Sequence, residues 1–127
     1  KFLAKYSDQA YALMRIMAGV MYAFHGAQKL FGILGGSRPP VGSELFFAGI
    51  IEFFGGLAIA CGFGTRVAAF IASGEMAVAY FQAHWKLQMN AKIFPIENHG
   101  ELALLYCFVF LFIATRGTVR WGLMKKG

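Results

Sequence analysis

Charge is scarce in this sequence. Of its 127 residues only 14% are Asp, Glu, Lys or Arg, against about 25% in a soluble domain. That shortage excludes a disordered chain, which needs high charge and low hydrophobicity. Cysteine is nearly missing too: two residues, Cys61 and Cys107, exclude a disulfide-stapled scaffold and supply no thiolate cluster for iron and sulfur. Flavin and nicotinamide fingerprints are absent, as is any pair of histidines four apart on a helix that would mark a metal site. The N-terminus lacks the charged, apolar, small-residue order of a signal peptide ahead of a soluble remainder. Runs of like charge are missing as well. The 12 Lys and Arg give a net charge of +6, but they stand in ones and twos between apolar stretches and form no basic stripe for nucleic acid.

What the chain has instead is apolar surface: 58% hydrophobic residues, 14 Phe and a mean hydropathy of +0.58. The solvent these imply is a lipid membrane. Apolar runs recur at Tyr11 to Phe31, Leu45 to Phe63, Val67 to Ala83 and Leu102 to Ala114; the first matches the ~20 residues that cross a hydrocarbon core of about 30 Å, and the fourth is shorter, with Glu101 and Arg116 placed to snorkel and lengthen it. Gly35-Gly36-Ser37-Arg38-Pro39-Pro40 breaks the first pair, Gly62 to Thr65 makes a tight turn, and Trp85 to Gly100 is an amphipathic connection with Pro95. Backbone polar groups cannot be left bare in lipid, and the runs lack the alternation of barrel strands, so they predict helices. The expected fold class is an all-α membrane protein, an antiparallel bundle of four transmembrane helices, forming a single domain over residues 1–127.

Basic residues outside the helix cores favour one side. Lys1, Lys5, Arg66, Arg116, Arg120, Lys125 and Lys126 face Lys29, Arg38, Lys86 and Lys92 across the membrane, which places both termini in the cytoplasm. A weak repeat accompanies this layout. The second and fourth spans open on Glu44-Leu45 and Glu101-Leu102 and end near Gly64-Thr65 and Gly117-Thr118, while Phe24 with Lys29-Leu30 matches Phe81 with Lys86-Leu87. Two parallel helical hairpins would produce that pattern.

Ionisable groups within the spans carry the functional signal, since each is costly at mid-bilayer unless paired or hydrated. Arg15, Gly19, Tyr22, Gly26 and Lys29 recur at steps of four and three, so they share one helix face. His25 lies beside that stripe. Rise per residue puts His25 and Glu52 at one level, roughly 9–11 Å below the outer boundary, so a His25–Glu52 contact is expected. Gly49, Gly55 and Gly56 bracket Glu52 and would let the first helix approach. Glu75, Ala79 and Gln82 share a face of the third helix, with Arg15 as the nearest basic partner of Glu75 if the first helix starts deep. His25, His84 and His99 all fall on the outer half. Three imidazoles suit a metal, two a haem, or one a quinone carbonyl. Cys61 and Cys107, expected near opposite helix ends, read as packing residues. Most Phe read as lipid-facing or core packing, and Trp85 and Trp121 as interfacial belts.

Arg15, Gly19, the run His25-Gly26-Ala27-Gln28-Lys29-Leu30-Phe31-Gly32, Glu52 with Gly55-Gly56, and Gly62-Phe63-Gly64-Thr65-Arg66 together resemble the DoxX family over about residues 10–85. The resemblance implies a small four-helix protein of a bacterial or archaeal cytoplasmic membrane in a quinone-linked redox setting. That family is named for a subunit of a thiosulfate:quinone oxidoreductase, and other members are associated with membrane complexes handling oxidative stress. It carries over no catalytic residue set, so residue roles rest on the physical argument.

The function expected is that of a subunit of a quinone-linked oxidoreductase. His25 and Glu52 would move protons; Tyr22, His25, Gln28, Lys29, Glu52 and His84 would bind the quinone head. Haem ligation stands second to quinone as the cofactor expectation. A partner redox subunit would supply electrons, or copies of the chain would assemble with each other. The alternatives are a non-catalytic anchor for a partner enzyme and passage of a small solute.

Overall fold

The computed structural model describes residues 1–85, 94, 95, 100–124 and 127, with the side chains of 83–85 outside that description. The described residues are helical, with no strand. After a short 3-10 turn at Ala4–Tyr6, helix α1 spans Ser7–Phe31, α2 Glu44–Cys61, α3 Thr65–Ala79 and α4 Glu101–Arg116. At Tyr80–Trp85 the third helix widens into a π-helical turn. The span expected over Val67 to Ala83 is therefore present but changes its winding at Tyr80. Most of the expected connection Trp85 to Gly100 lies outside the described residues.

Local chemistry sets the boundaries. Ser43 caps α2 by accepting a hydrogen bond from the Phe46 N–H at 3.3 Å. Gly62 ends the same helix at φ 72°, a left-handed conformation open to glycine, with its N–H turned back to Ala58 and Ile59 carbonyls. The chain then reverses within three residues, and α3 begins at Thr65.

The helices pair as two antiparallel hairpins, α1 with α2 and α3 with α4. The α1–α2 seam is built on glycine. A Cβ on Gly19 would stand 2.6 Å from the Ala60 nitrogen, and one on Gly56 2.5 Å from the Ala23 nitrogen; a Cβ on Gly26 would overlap the Phe53 backbone. Such contact brings main chains together without a side-chain layer. Between the hairpins lie Tyr11, Tyr22, Ile59, Ala69, Ala72, Tyr106, Phe110 and Ile113. The repeat-related threonines meet: Thr65 and Thr118 share a hydrogen bond of 2.7 Å where the hairpins join.

Polarity is distributed inside out. Arg15, Glu52, Thr65, Ser73 and Thr118 are buried, while Leu13, Met17, Phe24, Phe47, Phe54, Phe70, Ile71, Phe108 and Phe112 point outward. Large apolar side chains exposed in that number are what a lipid-facing surface requires. Among the described helices, Glu44–Cys61 is by itself long and apolar enough to cross a membrane. The 15-residue α3 and 16-residue α4 are shorter, and α1 carries Arg15, His25 and Lys29.

Arg15 corrects an expectation. It does not approach Glu75; it lies fully buried at the end of the bundle that carries both termini. Its Nε donates to the Thr118 carbonyl, Nη1 to Ile59 and Ala60, and Nη2 to Arg120 and Trp121. An arginine that has carbonyl dipoles for every N–H needs no acid. Around it, Arg66 donates to the last carbonyls of α4, and Arg116 pairs with Asp8 at 3.1 Å over the Tyr11 ring. The Leu123 and Met124 N–H groups close onto Cys61 and Gly62.

Candidate functional site

The opposite half of the bundle contains a chamber. A cavity of about 390 Å³ is lined by Tyr22, His25 and Lys29 of α1, Glu52 of α2, Glu75 of α3 and Tyr106 of α4. It falls in the 300–1,000 Å³ range of small-molecule sites. Every helix contributes a polar group, because the glycine seam draws α1 onto α2 while Tyr22 reaches across to α3.

Lys29 Nζ lies 2.7 Å from Glu52 Oε1, and the Tyr22 hydroxyl donates to Glu75 Oε1 at 2.7 Å. Glu75 also interacts electrostatically with Glu52 and Lys29, so two carboxyls face one ammonium. His25 is half-buried, and its ring stands edge-on to Tyr106 at 6.1 Å. Tyr106 is stacked on Phe110 at 5.3 Å. Its hydroxyl is buried and has no hydrogen-bond partner among the described residues. An orphan of that kind costs about 1–3 kcal/mol unless something else satisfies it.

The expected contact between His25 and Glu52 is replaced. Both line the chamber, but the carboxylate is taken by Lys29 and the imidazole meets Tyr106. Side chains lean toward the N-terminus of their helix, which drops Lys29 back by a turn and lifts Glu52 up to meet it. Gln28 is also corrected: its amide donates to the Leu34 carbonyl at 2.8 Å, in the loop after α1, and it does not line the chamber. The His84 side chain and all of His99 lie outside the described residues. Glu75 and Tyr106 join the site. Glu75 was legible as an acid on an interior face; Tyr106, one aromatic in a run of apolar residues, gave no signal that separates it from packing. Among the described residues no group of His, Cys, Asp and Glu is arranged to hold a metal ion. Cys61 and Cys107 are both free.

The ion pair is expected to be asymmetric under substitution. Lys29→Met strands the Glu52 carboxylate, and thermal unfolding in detergent should show a loss of about 2 kcal/mol, below the 3–5 kcal/mol of a fully buried pair because the Lys29 side chain retains 26% of its surface. Adding Glu52→Gln should recover most of that loss.

The sequence profile of the DoxX family matches residues 10–85. An uncharacterized protein of Haemophilus influenzae is 40% identical over 128 residues, an overlap covering 98% of this chain and 95% of that protein. No solved structure matches.

Proposed function

The chain belongs to the DoxX family, a membrane family, and from that premise we propose that it is a multi-pass subunit of a quinone-linked redox system that holds a quinone head group in the chamber and exchanges its protons. All four helices cross the bilayer in this reading. The excess of Lys and Arg at the end bearing the termini sets that end in the cytoplasm, and the chamber then lies beneath the outer leaflet.

The observation that carries the reading is the buried hydroxyl of Tyr106, without a hydrogen-bond partner among the described residues, on the wall of the cavity. Beside it stand two further donors, the His25 imidazole and the ammonium of Lys29, which has three N–H groups and one carboxylate partner. Donors in surplus call for a ligand rich in acceptors. A quinone presents two carbonyl oxygens on a flat apolar ring. Tyr106 and His25 would donate to one carbonyl, and Lys29 would polarise the other. Reduction of the head group takes two electrons, supplied by a partner redox protein, and two protons. Glu52 and Glu75, facing one ammonium, can take up and release protons beside the ring.

The test is equilibrium binding of a short-tailed quinone to the purified protein. Tyr106→Phe and His25→Ala should each weaken binding about tenfold, the worth of one hydrogen bond to a buried donor, with the unfolding temperature held or raised for Tyr106→Phe. Undiminished binding in both variants would sink the reading. A second reading draws on the same bonds. Tyr22–Glu75 and Lys29–Glu52 tie α1 to α3 and α2, as an anchoring subunit without chemistry would need. That reading expects Tyr22→Phe to loosen the bundle and no quinone to bind.

A further inference from the structure

A chamber of about 390 Å³ accommodates a head group but not a long tail, and a second cavity adjoins it. Resting on the quinone reading, we propose that the cleft between α2 and α3 is a lateral portal that holds the ligand's linear apolar tail, of isoprenoid or alkyl type, and opens to the lipid. The cleft has a volume of about 540 Å³ and is walled by Phe47, Ile51, Ile71 and Val78. Phe47, Ile71 and Val78 also face outward, so the cleft's lips are part of the surface that meets acyl chains.

Continuity identifies the occupant. Leu45, Ala48, Glu75 and Ala79 line both cavities, so a molecule lying across the two has its apolar part between α2 and α3 and its polar part among Tyr22, Lys29, Glu52 and Tyr106. Glu75 stands at the junction, where ring and tail are joined. The gap lies where packing is sparse, since α2 and α3 approach each other less closely along their length than either approaches its own hairpin partner. Gly74 keeps the gap open: a Cβ there would meet nothing within 4 Å. Glycine in a helix interior costs about 1 kcal/mol relative to alanine, and here it closes no helix contact that would repay that cost.

The experiment compares a decyl-substituted benzoquinone with tetramethylbenzoquinone on detergent-purified protein. Gly74 lines the cleft and not the chamber, so Gly74→Trp plugs the cleft from its own wall, and Gly74→Leu is a smaller plug should the indole disturb folding. The expected result is a loss of about tenfold or more in affinity for the decyl compound, from displaced methylene contacts, with tetramethylbenzoquinone bound as before. Unchanged affinity for the decyl compound overturns the portal, as does an equal fall for both compounds. If neither binds the unsubstituted protein, the head-group reading itself fails and the portal goes with it.

Discussion

Gly26→Leu is expected to prevent this chain from folding. The glycine sits where α1 crosses α2, and any Cβ at that position overlaps the main chain of Phe53 and crowds the Glu52 carbonyl carbon at 2.8 Å. A flexible side chain could rotate away; a helix backbone cannot. Relief requires separating α1 from α2, which also pulls apart Gly19 from Ala60 and Gly56 from Ala23. Overpacking of a core costs about 1–3 kcal/mol when neighbours can adjust, and the loss here should exceed about 3 kcal/mol. The measurement is the yield of monodisperse protein and its unfolding temperature in detergent. Gly74→Leu is the control, since it adds the same side chain to open space and should leave stability unchanged or raised.

The stripe Arg15, Gly19, Tyr22, Gly26 and Lys29 was readable from its spacing alone. Four of these residues are buried and Lys29 is half-buried, as one inward helix face demands. Periodicity along a single helix tells which side turns inward, and rise per residue tells depth, so His25 and Glu52 could be placed at one level and do line one chamber. Neither quantity gives the angle between helices. The choice between His25 and Lys29 as partner of Glu52 depends on that angle and on the backward lean of side chains, which the sequence leaves open. Tyr106 was hidden for a different reason. A hydroxyl's value depends on whether anything nearby accepts from it, and no pattern in α4 records that. The two hairpins were legible because each ends on a Gly-Thr pair, Gly64-Thr65 after α2 and Gly117-Thr118 after α4, and the meeting of Thr65 with Thr118 gives those marks a physical use.

Arg15 is the residue whose loss should be felt farthest from its own position. A buried cation ordinarily implies a buried acid, yet this one is held by main-chain carbonyls at 2.5–3.1 Å, two from the end of α2 and three from the segment after α4. Those carbonyls belong to a helix C-terminus and to an irregular strap, places where a backbone has more acceptors than N–H partners of its own. The negative end of the α2 dipole adds to the attraction. Arg15→Met keeps the volume but leaves the Ala60, Arg120 and Trp121 carbonyls without a donor among the described residues, while Ile59 and Thr118 still accept from the Gly62 and Arg120 N–H groups. At about 1–3 kcal/mol for each that finds no water, the total should reach about 4 kcal/mol or more. Arg15→Lys should rescue little, because one ammonium cannot span carbonyls that a planar fork meets on three sides. The location of the damage separates this account from general destabilisation. Val119 and Trp121 hold positive φ values of 66° and 58°, a conformation costly for such side chains and sustained by the Arg15 contacts to Thr118, Arg120 and Trp121. Limited proteolysis of Arg15→Met should therefore cut first within residues 117–124, before α1 or α2 is touched. Cleavage spread evenly over the loops would count against the clamp.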